Sequence, residues 1–221
     1  MSRAAAMKSL AECRLYGFVD AAYLDGRPPP ALAEALCLGG ADIIQFRAKD
    51  WDAGRVLATA RELQPILREH GVLFVVNDHP DIAQSVGADI CHLGQEDFAP
   101  FKNVRELERP GLRIGLSTHG PDQARRSLAA NPDYIAIGPV YATGTKPGAM
   151  PVTLDYVRWA AANVAIPWFA IGGITLQNLS AVLEAGATRI CVVSAILRSP
   201  DVRETCRVFK ERVLEGSTGA V

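Results

Sequence analysis

No run in this 221-residue chain approaches the roughly 20 consecutive apolar residues of a membrane-spanning helix, so a membrane protein of that kind is not expected. An excess of either charge is also missing, since 23 Lys and Arg stand against 24 Asp and Glu for a formal net charge of -1. That balance leaves no electrostatic footprint for nucleic acid or an acidic membrane surface, and any basic group must act locally. Paired cysteines are absent. Cys13, Cys37, Cys91, Cys191 and Cys206 are odd in number and far apart, with neither C-x-x-C nor zinc-finger spacing, which fits reduced thiols in a cytoplasmic protein. Met1 to Leu10 lacks the apolar h-region of a secretory signal. Histidine is scarce, and His70, His79, His92 and His119 form no pair at metal-ligand spacing.

What is plentiful is apolar residue, 49% of the chain, enough at this length to fill one sizeable core. It is gathered into short β-rich runs at Leu15 to Val19, Ile43 to Phe46, Leu73 to Val76, Ile90 to Leu93, Arg113 to Leu116, Tyr134 to Ile137, Trp168 to Ile171 and Ile190 to Val193. The runs are nearly continuous rather than alternating, as parallel strands covered on both faces should be. Helical patterns lie between them, among them Pro30 to Leu38, Ala53 to His70, Asp122 to Ala130, Leu154 to Ala162 and Leu176 to Ala185. Gly39-Gly40-Ala41-Asp42, Gly87-Ala88-Asp89 and Gly186-Ala187-Thr188 each precede a strand, where glycine suits the helix C-cap and the turn that follows. An open doubly wound sheet would place a Gly-rich phosphate turn after the first strand, whereas Val19 is followed by Asp20-Ala21-Ala22-Tyr23. The expectation is therefore a single (β/α)8 TIM-barrel domain over residues 1–221, with loose tails at 1–13 and 215–221.

In such a barrel the strand ends open on one face, which turns a dispersed set of polar residues into one site. Gln45, Arg47 and Lys49 alternate at the end of the second strand, so amide, guanidinium and ammonium share a side; a solvated strand end is the plainer alternative. Asn77-Asp78-His79-Pro80 closes the third strand, where Asp78 is either a ligand or a helix N-cap. Glu96-Asp97 lies on the neighbouring loop, and two carboxylates from adjacent loops suit a Mg²⁺ ion that takes its other ligands from water and phosphate. Thr143-Gly144-Thr145-Lys146-Pro147 offers hydroxyls, glycine and a cation to a phosphate, or is an ordinary surface loop; it has no Walker spacing. Gly172-Gly173 and Val193-Ser194 follow the last two strands, where barrel enzymes often bind phosphate. His119 stands on the same face as a possible acid or base, while His92, inside a strand, reads as a core histidine. Cys91 and Cys191 read as core residues.

Taken together, Gln45-Phe46-Arg47-Ala48-Lys49, Asn77-Asp78, His92-Leu93-Gly94-Gln95-Glu96-Asp97, Ser117-Thr118-His119, Gly138-Pro139-Val140, Thr143-Gly144-Thr145-Lys146-Pro147, Ala170-Ile171-Gly172-Gly173-Ile174 and Val192-Val193-Ser194-Ala195 resemble the motifs of the thiamine-phosphate synthase family from about Leu15 to Val213. The resemblance implies condensation of 4-amino-5-hydroxymethyl-2-methylpyrimidine diphosphate with hydroxyethylthiazole phosphate, giving thiamine phosphate and pyrophosphate. Carried over by motif, Gln45, Phe46, Arg47, Ala48, Lys49, Asn77, Ser117 and Lys146 would hold the pyrimidine diphosphate, with Arg47, Lys49, Ser117 and Lys146 assisting the chemistry. Asp78 and Asp97 would hold Mg²⁺, and Thr143, Gly144, Thr145, Gly173, Val193 and Ser194 the thiazole phosphate. The implied partners are small molecules, with a homo-oligomer left open. Phe46, Ala142 and Gly148-Ala149-Met150 depart from the commonest family pattern but remove no charged or ligand residue.

Two other readings stand beside this one. A thiazole tautomerase shares the scaffold but lacks much of the diphosphate and metal set, which here is present as Asn77-Asp78 and Gln95-Glu96-Asp97. A non-catalytic binder of thiamine precursors would keep the pocket without turnover. A sugar-phosphate isomerase or epimerase would want a positioned carboxylate pair or metal-binding histidines, and the histidines are missing.

Overall fold

Unbroken apolar runs need cover on both faces, and the chain supplies it by closing its strands into a ring. The structure, a computed structural model, describes residues 8–107, 111–144 and 150–218. The strands are β1 (Leu15–Asp20), β2 (Ile43–Arg47), β3 (Leu73–Asn77), β4 (Ile90–Leu93), β5 (Arg113–Thr118), β6 (Tyr134–Ile137), β7 (Trp168–Ile171) and β8 (Ile190–Cys191). All pair in parallel and in sequence order, and β8 returns to β1 through Leu15 opposite Ile190 and Tyr16 opposite Cys191. The helices that cover them are α1 (Pro29–Leu38), α2 (Ala53–Glu69), α3 (Pro80–Val86), α4 (Gln95–Phe98), α5 (Pro121–Ala129), α6 (Thr153–Asn163), α7 (Leu179–Glu184), α8 (Ser194–Leu197) and α9 (Val202–Thr218). This is the expected (β/α)8 barrel. Among the described residues no helix is long and apolar enough to cross a membrane.

A repeated device fastens the rim opposite the strand ends that carry the site. Asp42, Asp89 and Asp133 stand immediately before β2, β4 and β6. Each donates its backbone N–H to the carbonyl of a residue on the preceding strand, and its carboxylate accepts the N–H of that same residue. The residues so held are Leu15, Phe74 and Ile114, at 3.1, 2.8 and 2.7 Å from the carboxylate oxygen. At Asp42 and Asp89 the Gly-Ala-Asp rhythm is thus a strand-to-strand clamp as well as a turn, and Asp133 repeats the clamp after Asn131-Pro132. Asp42 is 1% exposed and also accepts from Lys8 at 2.6 Å and from Lys210 of α9.

The ends of the chain depart from expectation. From residue 8 onward the supposed loose tail is attached, since Leu10 and Cys13 are buried and Lys8 is paired with Asp42. The other tail continues α9 as far as Thr218. Several internal boundaries also move, two of them for a visible reason. β8 stops at Cys191 because Val193 turns to φ -110, ψ -87 and opens α8. α7 starts at Leu179 rather than Leu176 because the Asn178 side chain accepts from Thr175 N–H at 2.8 Å and donates to the Gly173 carbonyl at 2.9 Å, which makes a turn of the segment before it.

Candidate active site

Strand parity decides which polar residues meet. Along β2, Gln45 and Arg47 face the inside of the barrel mouth, while the intervening Phe46 is buried and its ring lies 6.0 Å from that of Trp51. One cavity at the mouth is lined by Gln45, Arg47, Lys49, Asn77, Asp78, Gly94 and Asp97, with buried Tyr16, Phe18 and His92 also in its lining. A second adjoins it, lined by Thr143, Gly173, Ser194, His119 and the residues around Gly138 and Gly172. Ser117, Ala136, Cys191 and Val193 line both and form the wall between them.

Most of the expected site therefore assembles. Phe46 and Ala48 do not line either cavity, because the alternation that brings Gln45, Arg47 and Lys49 inward turns their neighbours toward the helices. Exposed Gly144 also lines neither cavity, and Thr145 and Lys146 lie outside the described residues.

The charged half is held by pairs. Arg47 donates from Nη1 to the Asp20 carboxylate at 2.8 Å; Asp20 is 1% exposed, and its other oxygen accepts from the Ala22 N–H at 3.0 Å. The Lys49 ammonium lies 3.4 Å from Asp78, whose backbone sits at φ 62 directly after β3. Burial pushes the Asp78 carboxyl up, Lys49 opposes this, and the Asp97 carboxyl within hydrogen-bonding reach pushes it up again. Asp97 also accepts the Gly94 N–H at 3.2 Å across the first turn of α4. Asp78 is therefore no N-cap of α3, whose cap position is His79.

The uncharged half is built from backbone. The loops after β6 and β7 are zipped by Val140 N–H to the Ile171 carbonyl at 2.9 Å and Tyr141 N–H to the Gly172 carbonyl at 3.0 Å. Gly173 sits at φ 63, and a Cβ there would lie 2.6 Å from the Ala142 carbonyl oxygen, so only glycine permits this contact. His119 Nδ1 is 2.5 Å from the Gly138 carbonyl, which makes it part of the loop scaffold. Burial drives the Cys191 thiol well above its ordinary range and keeps it protonated, so it offers no thiolate to either cavity.

Sequence reasoning missed Asp20, Tyr16 and Tyr134, and named Gln95 only as part of a motif. Gln95 donates to the Ser117 carbonyl at 2.5 Å and braces the shared wall. Buried His92 is satisfied as expected, by Tyr134 at 2.8 Å and Ser117 at 2.9 Å. A polar residue inside an apolar run was the available signal for His92; the two tyrosines gave none, since their rings read as core.

The chain is similar to known proteins. The model of the family described as thiamine monophosphate synthase matches residues 15–196. A thiamine-phosphate synthase of Thermus thermophilus is 48% identical over 181 residues, 81% of this chain and 86% of its own. One of Halalkalibacterium halodurans is 41% identical over 197 residues, covering 89% and 93% of the two chains. The solved thiamine phosphate pyrophosphorylase from Pyrococcus furiosus superposes with a TM-score of 0.85 at 30% identity, over 94% of this chain and 98% of that one. The chain belongs to the thiamine monophosphate synthase family.

Proposed function

We propose that this protein joins 4-amino-5-hydroxymethyl-2-methylpyrimidine diphosphate to hydroxyethylthiazole phosphate, releasing pyrophosphate and forming thiamine phosphate. The observation that carries this reading is the pair of unlike cavities sharing one wall, the first lined by Arg47, Lys49, Asp78 and Asp97 and the second by glycine, hydroxyl and backbone groups. A diphosphate leaving group needs the charged side, and a monophosphate can be held by N–H and hydroxyl groups on the other.

In this reaction the C–O bond to the diphosphate breaks with its electron pair leaving on oxygen. The resulting pyrimidinylmethyl cation is stabilised by the ring's amino group and captured by the lone pair of the thiazole nitrogen. No protein nucleophile is needed, which agrees with a Cys191 held as thiol. Arg47, steadied by Asp20, and Lys49 bind the diphosphate and oppose the charge that grows on it. Gln45, Asn77 and Ser117 orient the pyrimidine half, while Thr143, Gly173, Val193 and Ser194 place the thiazole phosphate so that the two rings meet at the shared wall. Thr145 and Lys146, carried over by motif, add to these contacts on the same reading.

The acidic pair fits Mg²⁺. Two carboxylates in reach of each other, one of them pushed up by burial and by its neighbour, want a cation between them. A Mg²⁺ ion that keeps several waters and binds mainly through substrate phosphates needs only one or two carboxylates from the protein. Asp78 and Asp97 would hold the ion, which when bound neutralises charge on the departing pyrophosphate. The protein should turn the two substrates and Mg²⁺ into equal amounts of thiamine phosphate and pyrophosphate, with loss of both products on chelation. Binding of either substrate without product would overturn the proposal in favour of a tautomerase or a silent binder.

A further inference from the structure

Beneath the shared wall a single file of hydrogen bonds crosses the barrel interior. Gln45 Nε2 donates to the Tyr16 hydroxyl at 2.7 Å, and the hydroxyls of Tyr16 and Tyr134 are 3.0 Å apart. The Tyr134 hydroxyl is 2.8 Å from His92 Nδ1, and His92 Nε2 is 2.9 Å from Ser117 Oγ. Five strands contribute, and Gln45, Tyr16, Tyr134 and His92 are all buried. Gly115 makes the file possible, because a Cβ there would lie 2.2 Å from the Tyr134 ring. Burial drives both phenols well above their ordinary range, so each keeps its proton.

A phenol has one proton to give, so a direction set at the Gln45 amide can pass from bond to bond along the file. With the Gln45 amide donating to Tyr16, a Tyr16 proton given to Tyr134 and a Tyr134 proton given to His92 Nδ1 leave no hydroxyl proton without an acceptor. An imidazole that accepts at Nδ1 carries its proton on Nε2, so His92 donates to Ser117 Oγ. The Ser117 proton is then directed away from His92, toward the cavities that Ser117 lines. At the far end, with the amide nitrogen engaged, Gln45 offers its carbonyl oxygen to the cavity. The opposite phase would present an amide N–H at Gln45 and a lone pair at Ser117.

We propose that Tyr16, Tyr134 and His92 are positioning residues that lock Gln45 as an acceptor and Ser117 as a donor, so that the site selects an aminopyrimidine diphosphate over its 4-oxo counterpart. The identity of the ring rests on the function proposed above; the phase of the file does not. An exocyclic amino group donates to Gln45, and ring nitrogens and diphosphate oxygens accept from Ser117. A 4-oxo ring sets its own carbonyl against that of Gln45, two acceptors with no proton between them.

The test has two parts. Nitrogen-15 NMR of histidine-labelled, ligand-free protein, with His92 identified by loss of its signals in His92→Gln, should show the proton on Nε2 and an accepting Nδ1. In Tyr134→Phe, which removes the donor to Nδ1, the single tautomer should give way to a mixture. In Tyr16→Phe it should persist, because Tyr134 can still donate. Dissociation constants for the 4-amino and 4-oxo pyrimidine diphosphates should differ strongly in the natural protein, and each Tyr→Phe change should narrow the ratio by about tenfold. A wild-type His92 protonated on Nδ1 would overturn the proposal, as would unchanged discrimination in both variants. If Tyr134→Phe does not fold, the wild-type tautomer and Tyr16→Phe still decide the matter. Since neither readout needs turnover, failure to make thiamine phosphate would count against the proposed function alone.

Discussion

Neutralising Asp20 should expose how much of the charged cavity depends on one buried pair. The carboxylate is 1% exposed and the Arg47 side chain 15%, with 2.8 Å between Nη1 and Oδ2. Asp20→Asn keeps the volume and the oxygen that accepts the Ala22 N–H, but sets an amide N–H against the guanidinium. Breaking a buried pair from one side costs about 3–5 kcal/mol, and the water that still reaches Arg47 puts this pair near the lower end, about 3 kcal/mol. Against a total of about 5–15 kcal/mol the variant stays folded, with its melting temperature lowered by about 6–12 °C. Arg47→Met, which strands the carboxylate instead, should cost a similar amount. The double variant should recover most of one loss, because a neutral pair leaves no uncompensated charge; urea denaturation of the four proteins should give a coupling of at least about 2 kcal/mol. Losses that add to within about 0.5 kcal/mol would refute the reasoning, since the two groups would then be acting apart. In assays of the proposed reaction, Asp20→Asn should raise KM for the pyrimidine diphosphate more than it lowers kcat, because Arg47 keeps its charge and loses its support.

Other positions give independent tests. Burial alone would raise the Asp42 carboxyl, but the Lys210 and Lys8 ammonium groups and the N–H groups of Arg14 and Leu15 outweigh it and hold the carboxyl below the usual range. The stability it contributes is therefore complete above the unfolded-state value near 4 and drains away as pH falls through the lower folded value. Asp42→Asn should lower stability at pH 7 and flatten the loss between about pH 4 and pH 2 in urea titrations, and an unchanged acid limb would show that the clamp carries no linkage. Gly173→Ala should cost about 1–3 kcal/mol from its positive φ and the close Ala142 carbonyl, and should weaken thiazole phosphate binding in calorimetry. Asp78→Asn should cut kcat by about 10²–10³ in the proposed reaction and blunt the response to added Mg²⁺, an outcome that normal turnover would contradict.

The barrel was legible because its physics is local: both-face burial makes the strands read as apolar runs, and β4, β6 and β7 keep the limits that the sequence alone suggests. One misplaced boundary lies where a side chain competes with the backbone, as Asn178 does before α7, and another where the Val193 backbone turns. The charged site was legible too, since Arg47, Lys49, Asp78 and Asp97 are conspicuous at the ends of apolar runs. Asp20 also ends such a run but escaped, because nothing local ties it to its partner Arg47, 27 positions away. Tyr16 and Tyr134 escaped for a different reason. A ring in a strand counts as core whether or not its hydroxyl bonds across the barrel, and that bond joins residues 118 apart in sequence. Phe46 and Ala48 show the converse error, because a contiguous motif carries along residues that strand parity then turns outward.

Parity and topology together also explain why one rim holds two unlike halves. Asp20, Arg47, Lys49, Asp78 and Asp97 come from or just beyond β1 to β4, four consecutive strands, so their charges must fall on one side of a closed ring. None of the described residues lining the second cavity is Asp, Glu, Lys or Arg. The seam between the halves consists of Ser117, Ala136, Cys191 and Val193, again without a charge. On the proposed reaction this is where the carbon released from pyrophosphate must wait for the thiazole nitrogen. A carboxylate or thiolate at the seam would compete for that carbon, and a cation would raise the barrier to forming it. Small neutral groups do neither, and the thiol that comes nearest to being a nucleophile is kept protonated by burial. On the proposed reaction the charges that the described residues gather on one side of the ring would draw the diphosphate away while the capturing ring approaches along the uncharged seam.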